Sequence, residues 1–279
     1  MTHENEVAAA QLAYWNGPAG ERWATSWQMF DRAEAAISEA ILARAAPAAG
    51  ERVLDVGCGA GTTTLALRER VGAAGAVTGI DVSAPQLAVA RARAAGTDVA
   101  FVEADAAAYS FRPEHDLVFS RFGVMFFADP ERAFANLRTA AAPGGRLAFV
   151  CWRSADENGW VKVPMDVARA LVPEVAPPPP GEPGPFAFVD RDRLHGILER
   201  AGWQQIAIER GDHAMIFGNT AEEAAHAALV VGPLARSIAE LPADTRARIL
   251  DRLVDAMTPF VTPAGALLPA SCWLVSARA

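Results

Sequence analysis

A short apolar strand that runs straight into a glycine loop constrains this chain more than any other feature. Val53-Leu54-Asp55-Val56 suits a buried strand, and Gly57-Cys58-Gly59-Ala60-Gly61 follows it without a break. Glycines placed there let the backbone turn sharply and approach a ligand with no Cβ in the way. The helix expected next, Thr62 to Arg70, offers its unpaired first amides to ligand oxygens.

Strands and helices alternate at short intervals from Val53 to Trp152, the pattern of a parallel sheet covered by helices. Further strands are expected at Ala76–Ile80, Val99–Glu103, Asp116–Ser120 and Arg146–Trp152. Ser83-Ala84-Pro85-Gln86 predicts a capping box, with the Ser83 hydroxyl and the Gln86 amide closing a helix that runs through Arg93. Asp129-Pro130 opens the next helix and Pro143-Gly144-Gly145 breaks it. Beyond Trp152 the alternation loosens. Pro177 to Pro180 reads as a stiff connector, Asp190–Arg200 as a helix and Trp203–Ile208 as a strand. Thr220–Met257 is helical with breaks at Gly232-Pro233 and Leu241-Pro242, and Ser271–Ala277 is a closing strand. Gln11–Ala46 is helical in pieces and rich in Tyr and Trp, with Gly17 and Gly20 as hinge candidates.

The glycine loop alone is ambiguous, because dinucleotide-binding enzymes carry a similar one. Three carboxylates sharpen it. Asp55 stands two residues before Gly57, where a dinucleotide loop keeps small or apolar side chains away from a pyrophosphate. Asp81 ends the second strand, where a carboxylate can accept both hydroxyls of a ribose. Asp105 follows the third strand and suits the exocyclic amine of an adenine.

Composition narrows the partners. The 279 residues carry a formal net charge of −8, which repels phosphate backbones and anionic lipid, so neither nucleic acid nor a membrane is expected. No apolar run approaches the roughly 18 residues a membrane span needs, and the first residues do not read as a secretory signal. Cys58, Cys151 and Cys272 are far apart, giving no disulfide framework and no metal site. A cytoplasmic protein is the expectation.

The stretches VLDVGCGAG, GIDVS, VEADA, DLVFSRFGVMFF and APGGRLAFV lie in order between Val53 and Trp152. Together they resemble the class I S-adenosylmethionine-dependent methyltransferases, in particular the small-molecule group of the ubiquinone and menaquinone C-methyltransferases. The N-terminal YWNGPAGERW looks like sequences of the same group. Where relatives often have Leu-x-Pro-Gly-Gly, this chain has Ala-Ala-Pro-Gly-Gly, which keeps the turn residues.

The resemblance implies a doubly wound α/β, Rossmann-like sheet of seven mostly parallel strands. It further implies a helical N-terminal lid over residues 1–46 and a methyltransferase domain over 47–279 with insertions at 153–189 and 211–265. S-adenosylmethionine is the implied cofactor. Gly57, Gly59 and Gly61 would line its methionine portion, Asp81 would bind its ribose, and Asp105 with the Ala106 amide its adenine, with Asp55, Cys58 and Val82 as further cofactor contacts. Ser120, Arg121 and Phe122 would flank the sulfonium.

The acceptor is read as a small hydrophobic or aromatic molecule, with Tyr14, Trp15, Met125 and Trp152 as candidate contacts. His213, at the carboxyl end of the sixth strand, is the one candidate base; a sulfonium is a good leaving group, so a base matters only if the acceptor must shed a proton. A homodimer is one option for the assembly. Two other readings remain open at this point: a non-catalytic cofactor-binding sensor or scaffold, and a nicotinamide-dependent oxidoreductase on the same kind of sheet.

Overall fold

The computed structural model describes residues 3–176, 179–230 and 232–279; Pro177 and Pro178 of the proline run, and Val231, lie outside the described residues. Four helices come first: α1 His3–Asn16, α2 Pro18–Thr25, α3 Trp27–Ala33 and α4 Ala35–Ala45. Then β1 Arg52–Val56, α5 Thr62–Val71, β2 Ala76–Asp81, α6 Ala84–Arg93, β3 Ala100–Glu103, β4 His115–Arg121, α7 Pro130–Ala140 and β5 Ala141–Trp152 alternate as expected. The remainder is α8 Gly159–Leu171, α9 Arg191–Arg200, β6 Gln204–Ile216, α10 Ala221–Val230, α11 Gly232–Ser237, α12 Ala243–Met257, β7 Val261–Thr262 and β8 Gly265–Arg278.

The strands form one sheet in the order β3-β2-β1-β4-β5-β8-β6, with the two-residue β7 attached to β8. Pairing is parallel from β3 through β5 and antiparallel at β5–β8 and β6–β8. Helices cover both faces, so β1 reads buried at Val53, Leu54, Asp55 and Val56, and β4 is buried at Leu117 to Ser120. Parallel strands covered on both sides must be apolar nearly throughout, which makes a charged residue in one of them conspicuous.

Local chemistry departs from the sequence reading in four places. The Ser83–Gln86 capping box does not form: Ser83 Oγ donates to Trp15 O at 2.7 Å, while Asn16 Oδ1 accepts the Ala84 amide at 3.0 Å. A residue of α1 therefore caps α6, and the N-terminal helices are tied to the β2 end. Helix α7 ends at Ala140, three residues before Pro143-Gly144-Gly145, with Ala141 already extended at ψ 132°; the proline in turn disfavours helix at Ala142. Strand β6 continues to Ile216, so residues 211–216 belong to the sheet rather than to an insertion. Gly20 is no hinge: it is buried inside α2, and a Cβ there would lie 1.8 Å from Trp15 O.

Candidate functional site

A cavity of about 450 Å³ opens at the carboxyl ends of the parallel strands, the place where open α/β sheets bind ligands. Its floor is the loop after β1. Gly57 and Gly59 take φ of 66° and 52°, a region that favours glycine. A Cβ on Gly57 would come within 2.5 Å of Gly123 Cα, so the loops after β1 and β4 meet only because both are glycine. Asp81 stands beside this floor. Its Oδ2 accepts the Gly59 amide and its Oδ1 the Ser83 amide, each at 2.8 Å. Desolvation in the cavity wall pushes its pKa up, against the pull of those amides. Each oxygen retains a free lone pair, so both can still accept a hydroxyl.

Since sheet order separates β3 from β6, the cavity has two dissimilar ends. The β3 end holds Asp105 and Ala106, with Arg132 of α7 across from them. Asp105 Oδ1 accepts the Ala107 amide at 2.8 Å, and Asn136 Nδ2 donates to Ala106 O and Tyr109 O, both at 2.9 Å. The opposite end is aromatic. Phe122 stacks on Trp152 with centroids 4.0 Å apart and planes at 12°, Trp152 leans on Trp160 at 4.9 Å, and Met215 and Phe217 continue the wall from β6. Phe122 adopts φ 62°, a conformation a bulky side chain takes only under constraint; its amide is held by Val150 O at 3.1 Å.

Of the residues expected at the site, the structure brings Gly57, Cys58, Gly59, Asp81, Val82, Asp105, Ala106, Arg121, Phe122, Met125, Trp15 and Trp152 to the cavity wall. Five others stand elsewhere. Asp55 is fully buried beneath the loop, its Oδ2 accepting the Thr63 and Thr64 hydroxyls at 2.8 and 2.7 Å, with no partner for Oδ1. It anchors the start of α5 instead of facing a ligand, and burial raises its pKa to about 6. Gly61 is the N-cap of α5 and packs on Ala90. Ser120 is buried, donating to Val56 O at 2.7 Å and accepting the Gly123 amide, so it braces the two loops. Tyr14 turns its ring edge-on to Trp15 and lies outside the wall. His213 lies on β6 opposite Ala270, two positions short of Met215, and does not reach the cavity. Cys58 does reach it, with burial pushing its thiol pKa well up, so it is a neutral wall group.

A charged cluster at the wall was not expected from the sequence. Arg93 of α6 donates to Ala60 O and Thr62 Oγ1 at 2.9 Å, pairs with Asp31 at 3.0 Å and lies 3.8 Å over the Trp27 ring. Arg121, at the end of β4, donates to Ser38 Oγ at 2.9 Å and pairs with Glu34 at 3.2 Å. Asp31, Glu34 and Arg121 all line the cavity. One signal was available: Phe30, Glu34, Ile37 and Ile41 share helical spacing, which places a carboxylate on the apolar face.

Comparison with known proteins accords with this geometry. A model of a methyltransferase domain matches residues 53–145. The demethylmenaquinone methyltransferase of Clavibacter sepedonicus is 41% identical over 173 residues, which cover 58% of this chain and 69% of that protein. The chain belongs to the class I S-adenosylmethionine-dependent methyltransferase family. Another relative in the family, the demethylmenaquinone methyltransferase of Thermus thermophilus, is 46% identical over 103 residues. The family match covers 46% of that relative and 49% of the Streptomyces aklanonic acid methyltransferase, about half the length of each. The Haemonchus contortus phosphoethanolamine N-methyltransferase 2, solved with phosphomonomethylethanolamine and S-adenosylhomocysteine, superposes with a TM-score of 0.58 over the whole chain and 60% of its own length. At 18% identity, it speaks to the fold of this family member alone.

Proposed function

We propose that this chain transfers a methyl group from S-adenosylmethionine to a small hydrophobic or aromatic acceptor. The observation that carries the reading is one cavity with Asp81 beside its glycine floor, a polar end at Asp105 and Ala106, and a stacked aromatic wall at the other end. The residues fit the cofactor: Asp81 keeps acceptor capacity for two hydroxyls, and the glycine loop leaves no side chain in the way. When bound, S-adenosylmethionine supplies a methyl group on a sulfonium, already activated for in-line displacement.

The protein's part is then placement and the exclusion of water. Asp81 fixes the ribose, and Asp105 with the Ala106 amide holds the base. Phe122, Trp152 and Trp160 give a planar apolar acceptor a surface worth roughly 25 cal/mol for each Å² it removes from water. Water is kept out from above by α1, which is fastened at both ends. Asn16 bonds Val82 O at 2.9 Å, and Glu4 pairs with Arg132 at 3.0 Å. The test is direct. Incubation with S-adenosylmethionine and a panel of phenols and hydroxylated quinones is expected to release S-adenosylhomocysteine. Calorimetry is expected to show S-adenosylhomocysteine bound with no acceptor present. A folded protein that binds neither cofactor form overturns the reading.

A further inference from the structure

The cavity wall holds a buried carboxylate to which no placement role has been given. Glu34 is the N-cap residue of α4 and is 4% exposed, yet it lines the cavity. Its hydrogen-bonding backbone serves the helix, since Glu34 O accepts the Ser38 amide at 2.8 Å. Among the described residues the polar partner of its carboxylate is Arg121, in an ion pair at 3.2 Å. Arg121 ends β4 and Phe122 follows it, so the ion pair ties the Glu34 carboxyl to the strand end that carries the aromatic wall.

Resting on the methyl-transfer reading above, we propose that Glu34 is the group that receives the proton of a hydroxylic acceptor, a phenol or an enol, bound against Phe122 and Trp152. The acceptor O–H hydrogen-bonds to a Glu34 carboxylate oxygen. As the acceptor's oxygen, or the carbon conjugated to it, gains its bond to the methyl carbon, the methyl–sulfur bond would break with its electron pair going to sulfur, which leaves as S-adenosylhomocysteine. The O–H electron pair stays with the acceptor and the proton passes to that Glu34 oxygen. The Arg121 guanidinium fixes the carboxylate and balances its charge, making Arg121 a positioning residue.

A carboxylate is an ordinary base only when its pKa lies near the working pH. Desolvation raises the pKa of Glu34 and Asp31 raises it further, while Arg121 opposes both. The charged and titratable groups around it are Asp31 on α3, Arg121 on β4 and Cys272 on β8. Arg93 acts through Asp31 and Asp55 through Arg121. Cys272 is a neutral thiol, its pKa raised by burial. No histidine lies among these groups; Asp55 titrates too, so the part of the pH dependence that Glu34→Gln removes is the part assigned to Glu34.

The test is binding of 4-nitrophenol to the full chain saturated with S-adenosylhomocysteine, followed by calorimetry and by the phenolate absorbance across pH. In the wild type, affinity is expected to rise as pH climbs through the raised Glu34 pKa, because the ionised carboxylate accepts the phenol's hydrogen bond more strongly than the neutral carboxyl does. Glu34→Gln is expected to lose about tenfold in affinity and the pH dependence with it, while binding S-adenosylhomocysteine within about twofold of the wild type. Glu34→Asp should recover part of the pH dependence. Equal affinity and the same pH profile in Glu34→Gln, or no binding of 4-nitrophenol by the wild type, overturns the assignment. If Glu34→Gln does not fold, a flat wild-type profile overturns it alone. Failure of the wild type to bind S-adenosylhomocysteine is a separate result, which strikes the methyl-transfer reading instead.

Discussion

The central strands from Val53 to Trp152 and the segments that flank them are built by different rules. In the centre, each element of the site stands at the end of its own strand. The glycine loop follows β1, Asp81 ends β2, Asp105 follows β3 and Phe122 follows β4. A parallel sheet brings those ends together whatever the rest of the chain does. The flanks reach the same cavity only through contacts between residues far apart in sequence. Asn16 meets Val82 and Ala84, Asp31 meets Arg93, and Glu34 meets Arg121. The part of the cavity at the strand ends is thus local and motif-bound, whereas the part the flanks supply is assembled from side chains with no fixed spacing. The match to the methyltransferase-domain model, confined to residues 53–145, follows the same division.

The largest test of this division removes a flank. A chain beginning at Asp31 loses α1, α2 and the first four residues of α3, and with them Trp15, Trp23, Trp27 and Phe30. Trp23 stacks on Phe30 at 3.5 Å, and Trp15 meets Phe126 at 5.0 Å. We expect the shortened chain to keep its sheet by circular dichroism, to melt several degrees lower, and to bind S-adenosylhomocysteine more than about tenfold more weakly, with poor turnover. Full stability together with full activity would falsify the reading of the N-terminal helices as a cover.

Asp81→Ala tests the other side. Its carboxylate is expected to accept two charge-assisted bonds from a ribose, each worth roughly 1.5–3 kcal/mol. It also holds the Gly59 and Ser83 amides. Loss of S-adenosylhomocysteine affinity on the order of a hundredfold is expected by calorimetry, with a smaller change in melting temperature. If affinity holds while the melting temperature falls, Asp81 is a loop anchor and nothing more.

The same division explains what the sequence disclosed. Strand order, the glycine turn and the carboxylates at the strand ends were legible because each depends on a few adjacent residues. The Ser83 cap was misread because Asn16, 68 residues upstream, supplies the acceptor for Ala84, and no local pattern shows that. His213 drew attention by lying near the end of a strand, but β6 runs on to Ile216, so Met215 and Phe217 take the cavity positions. Trp160, Asp31 and Arg93 were passed over because their partners lie in other elements. Glu34 alone left a trace, as a charge among apolar residues at helical spacing.

Asp55 offers the finest cut, because it is a motif residue whose role is structural. Its sequence position invited a ligand contact, and its side chain instead grips Thr63 and Thr64 under the loop. Burial raises its pKa from 3.8 to about 6. A carboxyl with a raised folded-state pKa holds its proton more tightly when folded, so its contribution to stability is complete below about pH 4. That contribution is lost as pH rises to about 6, and the loss amounts to about 3 kcal/mol for a shift of roughly two units. Glu34 and Asp81 are displaced in the same direction, so the wild-type curve alone does not isolate Asp55. The difference between wild type and Asp55→Asn does, because the other groups cancel in it. Urea unfolding at a series of pH values should show the wild type losing stability relative to Asp55→Asn between about pH 4 and pH 6, then running parallel above. Affinity for S-adenosylhomocysteine should change by less than about threefold, in contrast to Asp81→Ala. A difference curve flat across that window sinks the buried-acid account, and a large loss of cofactor affinity returns Asp55 to the binding site.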